Sequence, residues 1–138
     1  MRPTLAIWLA GALALAAADA PEIVSKIPGS RREFKIVARE ISSDGKEARF
    51  TLLEPRGIIA FRLDLADAKL AKLTFVIEKQ KRCEGLTFQP DGRKEIDLKG
   101  AEGVKISQAD EDLIIEFGPA ALEKLKPAGR FQFVNEYR

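Results

Sequence analysis

Apolar and polar side chains alternate from Glu33 nearly to the end of the chain, and this period of two limits the fold more than any other feature. Successive side chains of a strand point to opposite faces, so such alternation means one buried face and one wet face. Phe34, Ile36 and Ala38 alternate with Lys35 and Arg39. Ser43-Asp44-Gly45-Lys46 then supplies turn chemistry before Ala48, Phe50 and Leu52 resume the pattern, which predicts a hairpin. Pro55-Arg56-Gly57 breaks the chain, and Ile59, Phe61, Leu63 and Leu65 alternate again with Ala60, Arg62 and Asp64. Ala66 to Ala71 has room for one helical turn, too short to stand alone.

Leu73, Phe75 and Ile77 begin the next strand, which fades into Glu78-Lys79-Gln80-Lys81-Arg82. That solvated end suggests a sheet edge, where lysines discourage pairing with a second molecule. Strands are expected at Leu86 to Gln89, Lys94 to Leu98, Val104 to Ser107 and Leu113 to Phe117. Pro90-Asp91-Gly92, Lys99 to Gly103 and Gln108 to Asp112 separate them. Gly118-Pro119 followed by Ala120-Ala121-Leu122-Glu123-Lys124-Leu125 predicts one short helix, with proline at its first turn and Lys126-Pro127-Ala128-Gly129 as its stop. Arg130 to Tyr137 alternates once more as a closing strand. About eight to ten short strands with one helix before the last predict an all-β fold, an antiparallel β-sandwich of jelly-roll or immunoglobulin-like type. A small barrel is the alternative. The eight phenylalanines fall mainly at inward positions and read as core.

The amino terminus has a different character. Arg2 precedes Leu5 to Ala10 and an alanine-leucine run to Ala18, the order of a secretory signal peptide. Cleavage after Ala18 is preferred to cleavage after Ala20, which would leave Pro21 first. The run is shorter than the roughly 18 residues expected of a spanning helix. Residues 1–18 are therefore read as a signal and 19–138 as a single domain, exported to the periplasm or the extracellular space, with no stable membrane insertion after cleavage.

Lys and Arg number 23 against 21 Asp and Glu, interspersed, which argues against a nucleic-acid partner. Histidine is absent, so imidazole-based nucleophilic catalysis, the usual zinc sites and proximal haem ligation are disfavoured. The only tryptophan, Trp8, lies in the signal, which removes the large ring that commonly stacks on sugars. No catalytic residue, cofactor or strong metal site emerges.

The segment "EDLIIEFGPAALEKLKPAGRFQFVNEYR" resembles the carboxyl end of a group of exported β-sandwich proteins of planctomycete type that has no established activity. Phe117, Pro119, Ala121, Leu122, Tyr137 and Arg138 match its Leu-Pro-x-Ala-Leu to Tyr-Arg pattern. Gly57-Ile58 and Gly85-Leu86 followed by Phe88 are similar upstream, so the resemblance covers about Arg56 to Arg138. Phe133 and Asn135 depart from the Trp and Asp more usual there. The resemblance implies a fold and an export route, with no site attached.

Candidate sites are few. Asp110 and Asp112, flanking Glu111, are weak calcium candidates, since alternate carboxylates in a loop supply oxygen ligands. Glu95 and Asp97, two apart on an expected strand, would share a face, the raw material of a carboxylate-based hydrolase. Lys79, Lys81 and Arg82, with Arg31, Arg32 and Lys35 elsewhere, are candidates for a basic surface patch. A carrier with an apolar ligand between the sheets is a further alternative. Tyr137 is read as an anchor of the last strand. Cys83 is the only cysteine, so an internal disulfide is impossible, and it is expected to be a small packed thiol, with an intermolecular bridge as the alternative; if exposed, Lys81 and Arg82 beside it would lower its pKa. These features together favour a non-catalytic exported domain that binds or supports a protein or glycan partner at the cell envelope.

Overall fold

A computed structural model describes residues 24–26, 35–53, 58–65 and 69–134. Residues 1–18, read as a signal, Phe34, Arg31, Arg32, Pro55-Arg56-Gly57, the start of the Ala66–Ala71 segment, Asn135, Tyr137 and Arg138 lie outside the described residues. The strands are β1 (Val24–Lys26), β2 (Lys35–Ile41), β3 (Glu47–Leu53), β4 (Ile58–Leu63), β5 (Lys72–Ile77), β6 (Gly85–Pro90), β7 (Ile96–Asp97), β8 (Val104–Ala109), β9 (Asp112–Phe117) and β10 (Gly129–Val134). Among the described residues one helix, α1 (Pro119–Lys124), precedes β10. They form two five-stranded sheets, ordered β1-β4-β10-β6-β7 and β2-β3-β5-β9-β8, so the chain is an all-β sandwich and not a barrel.

Local chemistry explains the turns. Between β2 and β3 the Ser42 hydroxyl donates to Asp44 Oδ1 at 2.6 Å, and that same oxygen accepts the Lys46 amide at 3.0 Å. Those two bonds, the hydroxyl first, hold the Asp44 carboxyl below its ordinary pKa. Gly45 closes the turn at φ 73°, a region that L side chains enter at a cost. Helix α1 begins as expected, with Pro119 in its first turn, and buries Ala121 and Leu122, while Leu125, which caps its end, is buried as well.

Four expectations are corrected. β5 is the central strand of its sheet and not an edge, because it pairs with both β3 and β9. The basic residues after Ile77 therefore belong to a crossover loop. β3 and β5 run parallel, whereas all other paired strands are antiparallel. The reason is topological: β4 crosses to the opposite sheet, so the chain returns for β5 in the direction of β3. The strand expected over Lys94 to Leu98 shrinks to Ile96–Asp97, and the turn expected over Gln108 to Asp112 tightens to Asp110 and Glu111. Asp110 takes φ 56° there, a conformation that Asp tolerates better than most residues.

The core lies between the sheets. Phe50, Phe61, Phe75, Phe88, Phe117, Phe131 and Phe133 are all buried, and they come from both layers. Phe131 stacks on Phe61 with centroids 4.9 Å apart, lies 5.3 Å from Phe75 and meets Phe117 edge-on at 5.8 Å. Thr74 and Val76, on the other face of β5, are also buried, as befits a central strand. β10 enters between β4 and β6 at Gly129, where a Cβ would stand 2.3 Å from the Gln89 carbonyl oxygen and 2.8 Å from Pro90 Cα. Only glycine fits that approach.

Candidate functional site

An open groove of about 390 Å³ lies where β5 begins, β8 begins and β9 runs into α1. That volume falls within the range of ligand pockets. Its position follows from two glycines. The Gly118 amide donates to the Gly103 carbonyl at 2.8 Å, which ties the loop before β8 to the entrance of α1. Gly103 has φ +84°, and a Cβ there would meet the Ala121 amide nitrogen at 2.7 Å, so the loop lies flat against the helix.

Register assembles the polar side. Glu116 stands opposite Lys105 on one flank and Thr74 on the other. Lys72, two residues before Thr74, reaches diagonally to Glu116 with Nζ to Oε2 at 3.2 Å. The pair is half exposed, and such surface pairs contribute about 0–1 kcal/mol, so it orients the side chains more than it stabilises the fold. Glu116 thus has a partner, while Lys105 is exposed with no ion-pair partner among the described residues. Val104, Ala71 and Pro119 supply apolar walls. The lining offers one unneutralised cation beside apolar surface, which suits an anionic group attached to a less polar body. It contains no serine, cysteine or tyrosine, and its single carboxylate is paired.

The sequence-derived candidates lie elsewhere. Lys79, Lys81 and Arg82 are exposed on the loop between β5 and β6, and Asp110 and Glu111 are exposed in the β8–β9 turn. The structure brings these two groups to the same end of the sandwich: the Lys79 amide, at φ 57°, donates to Asp112 Oδ1 at 3.3 Å. Arg82 also approaches Glu84 at 3.9 Å. The basic loop therefore faces an acidic turn, which dilutes its field. Asp112 is partly occupied in holding the crossover, and among the described residues no three of Asp, Glu, Cys and His are grouped as a metal ion would need.

Glu95 and Asp97 are both exposed, and Asp97 lies on the edge strand β7. Asp97 Oδ1 accepts the Lys99 amide at 3.0 Å and so serves its own turn. Neither residue lines the groove. Cys83 is buried at 7% exposure, joins the core, and donates from Sγ to the Gly85 carbonyl at 3.4 Å. Burial pushes its pKa up, with Lys99 opposing, so the thiol is the packed one that the sequence suggested.

Sequence reading missed Lys72, Lys105 and Glu116. Each sits at an ordinary solvent-facing position of an alternating strand, 33 residues apart for Lys72 and Lys105, and only strand order makes them neighbours. Comparison of the chain with protein-family models, with curated proteins and with solved structures gave no match. Among the described residues no helix is long and apolar enough to cross a membrane.

Proposed function

We propose that this chain is an exported, non-catalytic β-sandwich domain that holds an acidic glycan at the cell envelope, in the groove beside Lys105. The observation that carries this reading is the exposed Lys105 next to the apolar walls of Val104, Ala71 and Pro119, with Glu116 already paired to Lys72. A sugar carboxylate would sit on the lysine and a ring face on the apolar wall. The groove is open, which suits one unit of a longer chain better than an enclosed small molecule. Export rests on the signal-like segment ending at Ala18 and on the planctomycete-type resemblance of the carboxyl end.

The hydrolase alternative has less support, because Asp97 serves its own turn on an exposed edge and Glu95 is exposed outside the strand. The apolar-carrier alternative fares no better, since aromatic rings in contact occupy the space between the sheets. A titration of the isotope-labelled protein with an oligomeric uronic acid tests the proposal. Amide shifts should concentrate at Gly103, Val104, Lys105 and Gly118, and Lys105→Ala should abolish them. Shifts centred on Lys79 to Arg82 instead, or none, would reject the groove.

A further inference from the structure

Four strands end the two sheets, β1 and β7 in one and β2 and β8 in the other. An exposed edge offers unpaired N–H and C=O groups to any passing strand, and proteins blunt such edges by shortening or bulging them. β1 has three residues and β7 two, and β2 carries a register shift between Ile36 and Ala38. β8 is different. Its six residues, VKISQA, pair with β9 without interruption, contain no proline and carry one charge, Lys105.

The ladder also shows which groups of β8 are free. The bond from the Gly118 amide to the Gly103 carbonyl makes those two residues a hydrogen-bonded pair. Alternation along an antiparallel ladder then turns the backbone groups of Lys105, Ser107 and Ala109 towards β9, and those of Val104, Ile106 and Gln108 outward. The Val104 amide follows this rule, since it bonds the Ala101 carbonyl at 3.2 Å and not β9. The outward groups of Ile106 and Gln108 have no partner among the described residues.

We propose that this edge pairs with the same edge of a second copy, antiparallel about a two-fold axis at Ser107, joining two five-stranded sheets into one. Charge selects both partner and register. β8 has a cation near its start, Lys105, and two carboxylates just past its end, Asp110 and Glu111. Antiparallel self-pairing with Ser107 opposite Ser107 sets Lys105 against Ala109 of the second copy, beside that copy's acidic turn, and does so twice by symmetry. Ile106 and Gln108 then exchange backbone hydrogen bonds across the axis. A slip of one residue would turn the apolar face outward, a slip of two towards the start of β8 would draw in Val104, whose amide is already engaged, and a slip of two towards its end would set Ile106 against Asp110, which leaves the extended strand at φ 56°. Lys105 lines the groove as well, but Ser107 and Gln108 do not, so the Ser107→Cys and Gln108→Pro outcomes stand or fall apart from glycan binding.

Sedimentation velocity of the full chain over a concentration series should show a monomer–dimer equilibrium. Gln108→Pro removes one outward amide from an exposed position and should leave monomer with unchanged circular dichroism. Lys105→Glu should weaken the dimer about tenfold, as two surface attractions become repulsions, and adding Glu111→Lys should restore it. Ser107→Cys should form a disulfide-linked dimer under mild oxidation, because non-hydrogen-bonded pairs bring Cα atoms to about 4.5 Å, within disulfide range. Ala109→Cys, which would face Lys105, should not, and this comparison decides the matter if Gln108→Pro fails to fold. A chain that stays monomeric throughout, or Ala109→Cys cross-linking as readily as Ser107→Cys, overturns the proposal.

Discussion

Phe131 should contribute more to stability than Phe133, although both are buried on the same face of the same strand. Replacing either by leucine removes a similar volume from a closed core, so the packing part of the loss should be alike, about 1 kcal/mol. Phe131 differs in its neighbours. It meets Phe61, Phe75 and Phe117 at 4.9, 5.3 and 5.8 Å, whereas Phe133 has no ring contact among the described residues. Aromatic pairs contribute about 0.5–1.5 kcal/mol beyond area burial, and the low end for three pairs adds about 1.5 kcal/mol. Phe131→Leu should thus lose about 2.5 kcal/mol and Phe133→Leu about 1 kcal/mol, against a total of roughly 5–15 kcal/mol for a domain of this kind. Urea unfolding followed by far-ultraviolet circular dichroism measures this through the midpoint at constant m. A double-mutant cycle with Phe61→Leu should return a coupling of about 0.5–1.5 kcal/mol. Equal losses for the two leucine variants with zero coupling would show that the rings act as plain apolar volume.

Two further outcomes concern ionisable groups. Arg62 holds Asp91 through two bonds, 2.8 and 3.2 Å, and its guanidinium draws the Asp91 carboxyl below the usual range. A depressed folded pKa stabilises above the unfolded value and is lost as pH falls through the folded one. Asp91→Asn should therefore be less stable than the parent at neutral pH and match it in acid, and high salt should narrow the gap because both side chains are exposed. A gap that persists in acid would contradict this. The Cys83 pKa is raised by burial, so its stabilising share is present below the ordinary thiol pKa and lost as pH rises through the higher folded value. Iodoacetamide should label Cys83 at least about tenfold more slowly in the native protein than in urea, and non-reducing gels of the unmodified chain should show no dimer. Native labelling at the free-thiol rate would mean the thiol is open.

Some of this protein was legible in its residues because the information is local. Alternation through Phe50, Phe61, Phe75 and Phe131 marks strands and their buried face without reference to any partner, as Pro119 and Gly129 mark the helix and its end. The Ser43–Lys46 turn and the packed state of Cys83 followed from the same local signals, while the Ser42 hydroxyl that braces the turn did not. Strand order is a different kind of quantity. Nothing within Lys72–Ile77 distinguishes a central strand from an edge, and the lysines after it suggested the wrong answer, because pairing with β3 and β9 is settled by residues far along the chain. The groove shares that origin: Lys72, Lys105 and Glu116 acquire a common site only when register lays three strands side by side. Side-chain period determined what each segment is; long-range hydrogen bonding between segments decided which strand became the exposed edge and which charges meet.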